Sequence, residues 1–149
     1  MNKLLFFFLL FYLHVANVYS DIIKPNTKIP PYNVVEIQLI SLKNNDKPDK
    51  DFGIEQTWEF AHPENKMNTG PLNNFKKMLK NEIYSILLNH KDHKIEEIYN
   101  NKKIAIYDVI ILGSDNFYYE FKWQVERYDG KGSLNNCWLT TAVSNPVSL

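Results

Sequence analysis

From Phe117 to Glu126 apolar and polar residues alternate almost without interruption. Phe117, Tyr119, Phe121, Trp123 and Val125 fall on one side of an extended backbone, and Tyr118, Glu120, Lys122, Gln124 and Glu126 on the other. Successive side chains of a strand point to opposite faces. The segment therefore predicts a strand with one buried aromatic face and one wet face, an arrangement antiparallel sheets allow. The period of two holds throughout the chain after His90. Residues 95–99, 104–112, 117–128 and 137–143 are predicted as four strands. Asn100 and Asn101, residues 113–116 and residues 129–133 supply turn chemistry between them. Connections this short join antiparallel neighbours, so the second half of the chain is predicted as a four-stranded meander.

Before His90 the period is helical. Val34, Val35, Gln38, Leu39 and Leu42 recur at three- and four-residue steps after Pro31, and Asn44, Asn45, Asp46 and Pro48 stop that helix. A second helix is predicted from about Asp51, placed to cap it, to Ala61, burying Phe52, Ile54, Trp58 and Ala61, with Pro63 as its end. A third begins at Thr69-Gly70-Pro71-Leu72, with Thr69 as cap and Pro71 in the first turn. Its stripe is Leu72, Phe75, Leu79, Ile83 and Leu87, with a break near Asn81 and with Lys76, Lys77 and Lys80 on a solvated face. Helices followed by a meander make an α+β plan.

The N-terminus carries a different signal. Lys3 precedes an apolar run from Leu4 to Val15, and Ala16, Tyr19 and Ser20 lead into polar sequence at Asp21. A basic start, about a dozen apolar residues and small residues before the polar change mark a secretory signal peptide. Residues 1–20 are predicted as a cleaved signal, residues 21–30 as an extended leader containing Pro25 and Pro30, and residues 31–149 as one α+β domain. No membrane span is expected after signal removal. The predicted destination is the secretory pathway or the extracellular space. The alternative is a secondary plastid reached through that pathway, for which Lys24 and Lys28 give a short basic leader.

Charge and cysteine use narrow the function. The chain has 17 basic and 17 acidic residues; without Lys3 the balance is 16 to 17. Nucleic-acid binding calls for a basic face and a high pI, so no nucleic-acid partner is expected. Cys137 is the only cysteine, which excludes an intramolecular disulfide and leaves stability to packing. Its neighbours Trp138 and Leu139 predict burial. No Asn-x-Ser/Thr sequon occurs.

Five motifs appear in order: Asn45-Asp46; Phe60, Ala61, Pro63 and Asn65; Thr69 to Phe75; Tyr84, Leu87, Leu88 and His90; and Cys137, Trp138 and Thr140. In order and spacing they resemble an uncharacterised family from bacteria and plastid-bearing lineages, over roughly residues 31–143. That family is similar to nuclear-transport-factor-two-like folds. The resemblance implies helices closing a cone against a curved sheet, with a mouth between the two. It implies no single function, because that superfamily hosts hydrolases, isomerases, ligand binders and scaffolds. The chain departs from the family at His62, where small residues are usual, and at Thr141, where an acidic residue often stands.

The candidate ligand-binding residues at such a mouth are Trp58, Tyr84, His90, Tyr119, Phe121, Trp123 and Trp138, with plain core packing as the competing reading of this aromatic set. No Gly-x-Ser-x-Gly elbow, Gly-rich phosphate loop or His-Glu-x-x-His helix occurs. No catalytic residue, cofactor or metal site is predicted. An acid–base pair would draw on His62 or His90 with Asp46 or Asp108. Asp108 shares a face with Ile104, Ile106 and Ile110, and His62 beside Pro63 reads as a loop or helix-end residue. His90 and His93 lack an evident third ligand for a tetrahedral zinc site. The first functional expectation is non-enzymatic binding of a small apolar ligand or a protein partner. A homodimeric scaffold joined through the open sheet face and a small hydrolase or isomerase are the alternatives.

Overall fold

The computed structural model describes residues 21–149, so the predicted signal peptide lies outside the described residues. Helices α1 (Pro31–Lys43), α2 (Phe52–Glu59), α3 (Pro63–Thr69) and α4 (Leu72–Leu79) are followed by a 3-10 turn at Ser85–Leu87. Strands β1 (Asp92–Asn100), β2 (Ile104–Leu112), β3 (Tyr118–Arg127), β4 (Trp138–Val143) and the short β5 (Val147–Ser148) complete the chain. The fold is α+β: four N-terminal helices packed on an antiparallel meander in the order β1-β2-β3-β4. β4 pairs with Trp123 to Arg127, and β5 takes over beside Tyr119 and Glu120 farther along the same edge of β3.

The strand alternation sets the core. Tyr107 lies opposite Trp123 and Val109 opposite Phe121; all four are buried, together with Ala105, Ile111 and Val125. Onto this face pack Val34, Val35, Leu39 and Leu42 of α1, Ile54 of α2, and Phe75 and Leu79 of α4. Burying one such large side chain contributes roughly 1.5–3 kcal/mol, which is how a chain without disulfides holds. Phe117 departs from the expected face. It precedes β3 in the turn and is 62% exposed; its backbone holds the turn, the carbonyl accepting the Gly113 N–H and the N–H donating to Asp115 Oδ1 at 3.1 Å.

The leader is tied down. The Gln56 amide reads the backbone of Ile23 in both directions, accepting from its N–H at 2.7 Å and donating to its carbonyl at 2.9 Å. The turn between α1 and α2 is braced by the Asn45-Asp46 motif. Buried Asn45 accepts the Ile54 N–H at 3.1 Å, and its carbonyl accepts from Gly53 at 2.9 Å. Gly53 is needed there because a Cβ would lie 2.1 Å from the Ser41 carbonyl oxygen.

Several helix boundaries differ from expectation, each for a local reason. Asp51 does not cap α2 with its side chain. It sits in the left-handed region at φ 65° and pairs with Lys80 at 2.7 Å. Pro63 does not end a helix but starts α3, because a ring-fixed φ suits a first turn, and the His62 ring accepts the Glu64 N–H at 3.2 Å as the cap. Thr69 is the last residue of α3 instead of the cap of α4, which Pro71 precedes without a side-chain bond. α4 ends at Leu79, and Asn81 then accepts from the N–H groups of Ile83 and Tyr84 in a turn. That break rotates Ile83 outward, where it is 44% exposed. Lys76 and Lys80 are not simply solvated: they reach Glu55 and Asp51, joining α4 to α2. Among the described residues no helix is long and apolar enough to cross a membrane.

Candidate functional site

Two motifs 75 residues apart meet at Thr140. Its backbone forms a parallel bridge with Ala61: the His62 N–H donates to the Thr140 carbonyl at 2.9 Å, and the Thr140 N–H donates to Phe60 at 2.8 Å. Asn65 at the start of α3 adds two bonds from its side-chain amide, to the carbonyls of Thr140 at 3.1 Å and Thr141 at 2.8 Å. The Tyr84 hydroxyl approaches the Val143 carbonyl at 3.4 Å. The free side of β4 is thereby closed by the α2–α3 corner and by the turn after α4.

Between this closed edge and the helices lies a partly open cavity of about 270 Å³. Its walls are Leu42, Trp58, Phe75, Met78, Leu87 and Val143. Trp58 and Phe75 meet with ring centroids 5.0 Å apart, and the Lys66 ammonium lies 5.4 Å from the Trp58 ring. Burial pulls the Lys66 ammonium below its ordinary value. The floor is polar and internally paired. Thr140 Oγ1 donates to Gln38 Oε1 at 2.6 Å, the Trp123 indole N–H points at both of these oxygens at 3.2 and 3.3 Å, and Gln38 Nε2 donates to the Thr57 carbonyl. Apolar walls with a few fixed polar groups are what small-molecule sites are made of.

Of the residues nominated from sequence, Trp58, Tyr84 and Trp123 line this cavity. The other four lie elsewhere. Phe121 is fully buried in the core, and Trp138 packs half-buried at its margin. Tyr119 donates to Asp115 at 2.6 Å near the β2–β3 turn. His90 lies under the start of β1. Its Nδ1–H donates to the Leu87 carbonyl at 2.7 Å, which leaves Nε2 as acceptor for the His93 Nδ1–H at 2.8 Å. A carbonyl can only accept, so this chain fixes both tautomers and uses both His90 nitrogens. Burial pushes the His90 pKa down to about 4, and burial also lowers that of His93.

The acid–base candidates do not converge on the cavity. His62 caps α3 and stands edge-on to Tyr128. Asp46 accepts the Asp51 N–H at 3.0 Å and the Asn89 amide at 3.2 Å; the first of these bonds, then the second, holds its carboxyl below the usual range. Asp108 lies on the outer sheet face, as its alternation predicts, paired with Lys122 at 2.7 Å. Cys137 is buried, and burial raises its thiol pKa. Among the described residues no group of three or more His, Cys, Asp or Glu side chains could hold a metal ion.

Comparison of the chain with protein-family models, curated proteins and solved structures finds no match. The resemblance described above therefore rests on the motifs themselves.

Gln38, Asn65 and Thr140 were not nominated from sequence, although each carried a signal. Gln38 is the one amide within the apolar stripe of α1, and a polar residue on a buried face needs a partner. Asn65 and Thr140 each close one of the five motifs noted in the sequence.

Proposed function

We propose that this protein binds a small, mainly apolar molecule, without catalysing its conversion, in the cavity between α1, α2, α4 and the β4 edge. One observation carries the reading: an apolar cavity of about 270 Å³ floored by the prearranged Gln38–Thr140–Trp123 triad. This volume lies just below the usual range for ligand sites, roughly 300 to 1,000 Å³, so the ligand is small. Asn65 and Thr69 stand at the lining with polar atoms available to orient one hydrogen-bonding end of it.

In this proposal the helices and sheet form a cone of the nuclear-transport-factor-two-like kind, with the cavity as its mouth. The order of helices then meander, and the closure of β4 by the α2–α3 corner, support that reading. The protein acts in the secretory pathway or outside the cell, after removal of residues 1–20. A mature N-terminus at Asp21 is the expected result of N-terminal sequencing.

The binding test is calorimetric titration of the full-chain product of a secretory host with n-alcohols from butanol to decanol. The expected result is saturable binding with an optimum chain length, abolished by Thr69→Phe at the lining. Absence of binding by every member, or binding indifferent to Thr69→Phe, contradicts the proposal.

A further inference from the structure

The outer edge of β1 is open. β1 pairs with β2 on one side, and no described residue bonds to the backbone groups on the other. The strand is nine residues long and runs regularly from Asp92 to Glu97 before the bulge at Ile98. An unpaired edge of this length is a template for another strand. Its sequence selects which one.

We propose that β1 pairs antiparallel with β1 of a second copy of this chain, about a two-fold axis through Ile95, joining two sheets edge to edge. In this register Lys94 faces Glu96 of the second copy, Glu96 faces its Lys94, His93 faces its Glu97, and Ile95 meets its own equivalent. Lys94 and Glu96 already lie on one face, 3.4 Å apart from Nζ to Oε2, and are 69% and 61% exposed. The dimer therefore gathers four side chains of alternating sign around the axis.

Neighbouring registers fail on charge. An axis at Lys94 sets that lysine against itself and Asp92 against Glu96. An axis at Glu96 sets Glu96 against itself and Ile95 against Glu97. Like charges directly opposite are destabilising. An axis at His93 leaves Glu96 and Glu97 beyond the end of the opposing strand, and axes farther along run into the bulge. A two-fold contact of this kind is self-complementary by construction, and a strand that only needed protection from pairing would not require both signs at mirror positions. Beyond these pairs, at the bulge, the exposed Ile98 stands opposite Asp92 of the second copy, and exposed Tyr99 lies outside the pairing. The contact uses the sheet's edge, so it is distinct from association through the sheet face.

Sedimentation velocity on the full-chain product of a secretory host, over a wide concentration range, tests this directly. The wild type is expected to dimerise reversibly. Lys94→Glu turns both symmetric pairs repulsive and is expected to weaken the dimer about tenfold or more. The double variant Lys94→Glu/Glu96→Lys exchanges the signs and is expected to restore the wild-type affinity. Both sites are exposed, and circular dichroism should match in all three proteins. A wild type that is monomeric throughout, a dimer indifferent to Lys94→Glu, or a double variant as weak as the single one overturns the proposal.

Discussion

The two edges of this sheet receive opposite treatment from the same chain. Along β4 the protein satisfies the edge itself: Phe60 and His62 bridge to Thr140, Asn65 ties down two carbonyls, and Tyr84 approaches a third. Along β1 it offers charges of both signs and an unpaired backbone. Closing an edge with a helix corner instead of a strand leaves space between helix and sheet, and here that space is the cavity. An edge left open stays available to another chain. The difference teaches that the proposed binding site and the proposed association surface are two answers to one problem, the unpaired hydrogen bonds of a strand.

The largest expected contrast comes from truncating one aromatic in the cavity floor beside the closed edge and one on the open edge. Trp123→Ala removes the cavity floor and the donor to Gln38 and Thr140, and should cost about 3–5 kcal/mol in urea unfolding. Tyr99→Ala, on an exposed position of β1, should cost about 0.5 kcal/mol or less. Similar losses at the two sites would erase the distinction between a built edge and an open one.

Acid should act on the β1 side first. His90 anchors the start of β1, faced by His93, Lys43 and Asp92. Its pKa is 6.5 when unperturbed and about 4 in the fold. Because the folded value is depressed, the neutral ring stabilises the protein fully above pH 6.5, and that contribution is lost as pH falls toward 4. The loss should reach roughly 3 kcal/mol, while the lowered carboxyls of Asp46 and Asp51 add theirs only below about pH 3.8. His90→Gln should flatten the pH 6.5-to-4 part of the unfolding-midpoint profile. An unchanged slope would remove His90 from the account.

A smaller effect is expected at the closing hydrogen bonds. Asn65→Ala leaves the Thr140 carbonyl bonded by His62 but strips Thr141 of its amide donor, and should cost about 1–2 kcal/mol with faster hydrogen exchange along β4. Exchange along β1 should stay as it was at equal protein concentration. Acceleration on both edges would show that they are coupled.

Much of this plan was legible in the residues. The alternation from Tyr119 to Val125 reported both the strand and its buried face, because period two admits one solution once one side is apolar. The stripe of α1 was equally plain. The helix ends were not, since Pro63 and Thr69 each carry two meanings, stop or start, that only tertiary contacts decide. The cavity was half visible. Aromatic residues announced burial but not which of them would border space, so Phe121 and Trp138 read the same as Trp58 and Trp123. What separates them is the pairing of Ala61 with Thr140, a contact across 79 residues that no local pattern encodes.

The most direct test of the binding site is native mass spectrometry of the protein purified gently from its own cells, beside a Thr69→Phe variant made there. The account predicts a small, mainly apolar molecule carried at one per chain by the wild type and missing from the variant. A bare wild-type mass, or the same molecule retained by Thr69→Phe, would contradict it.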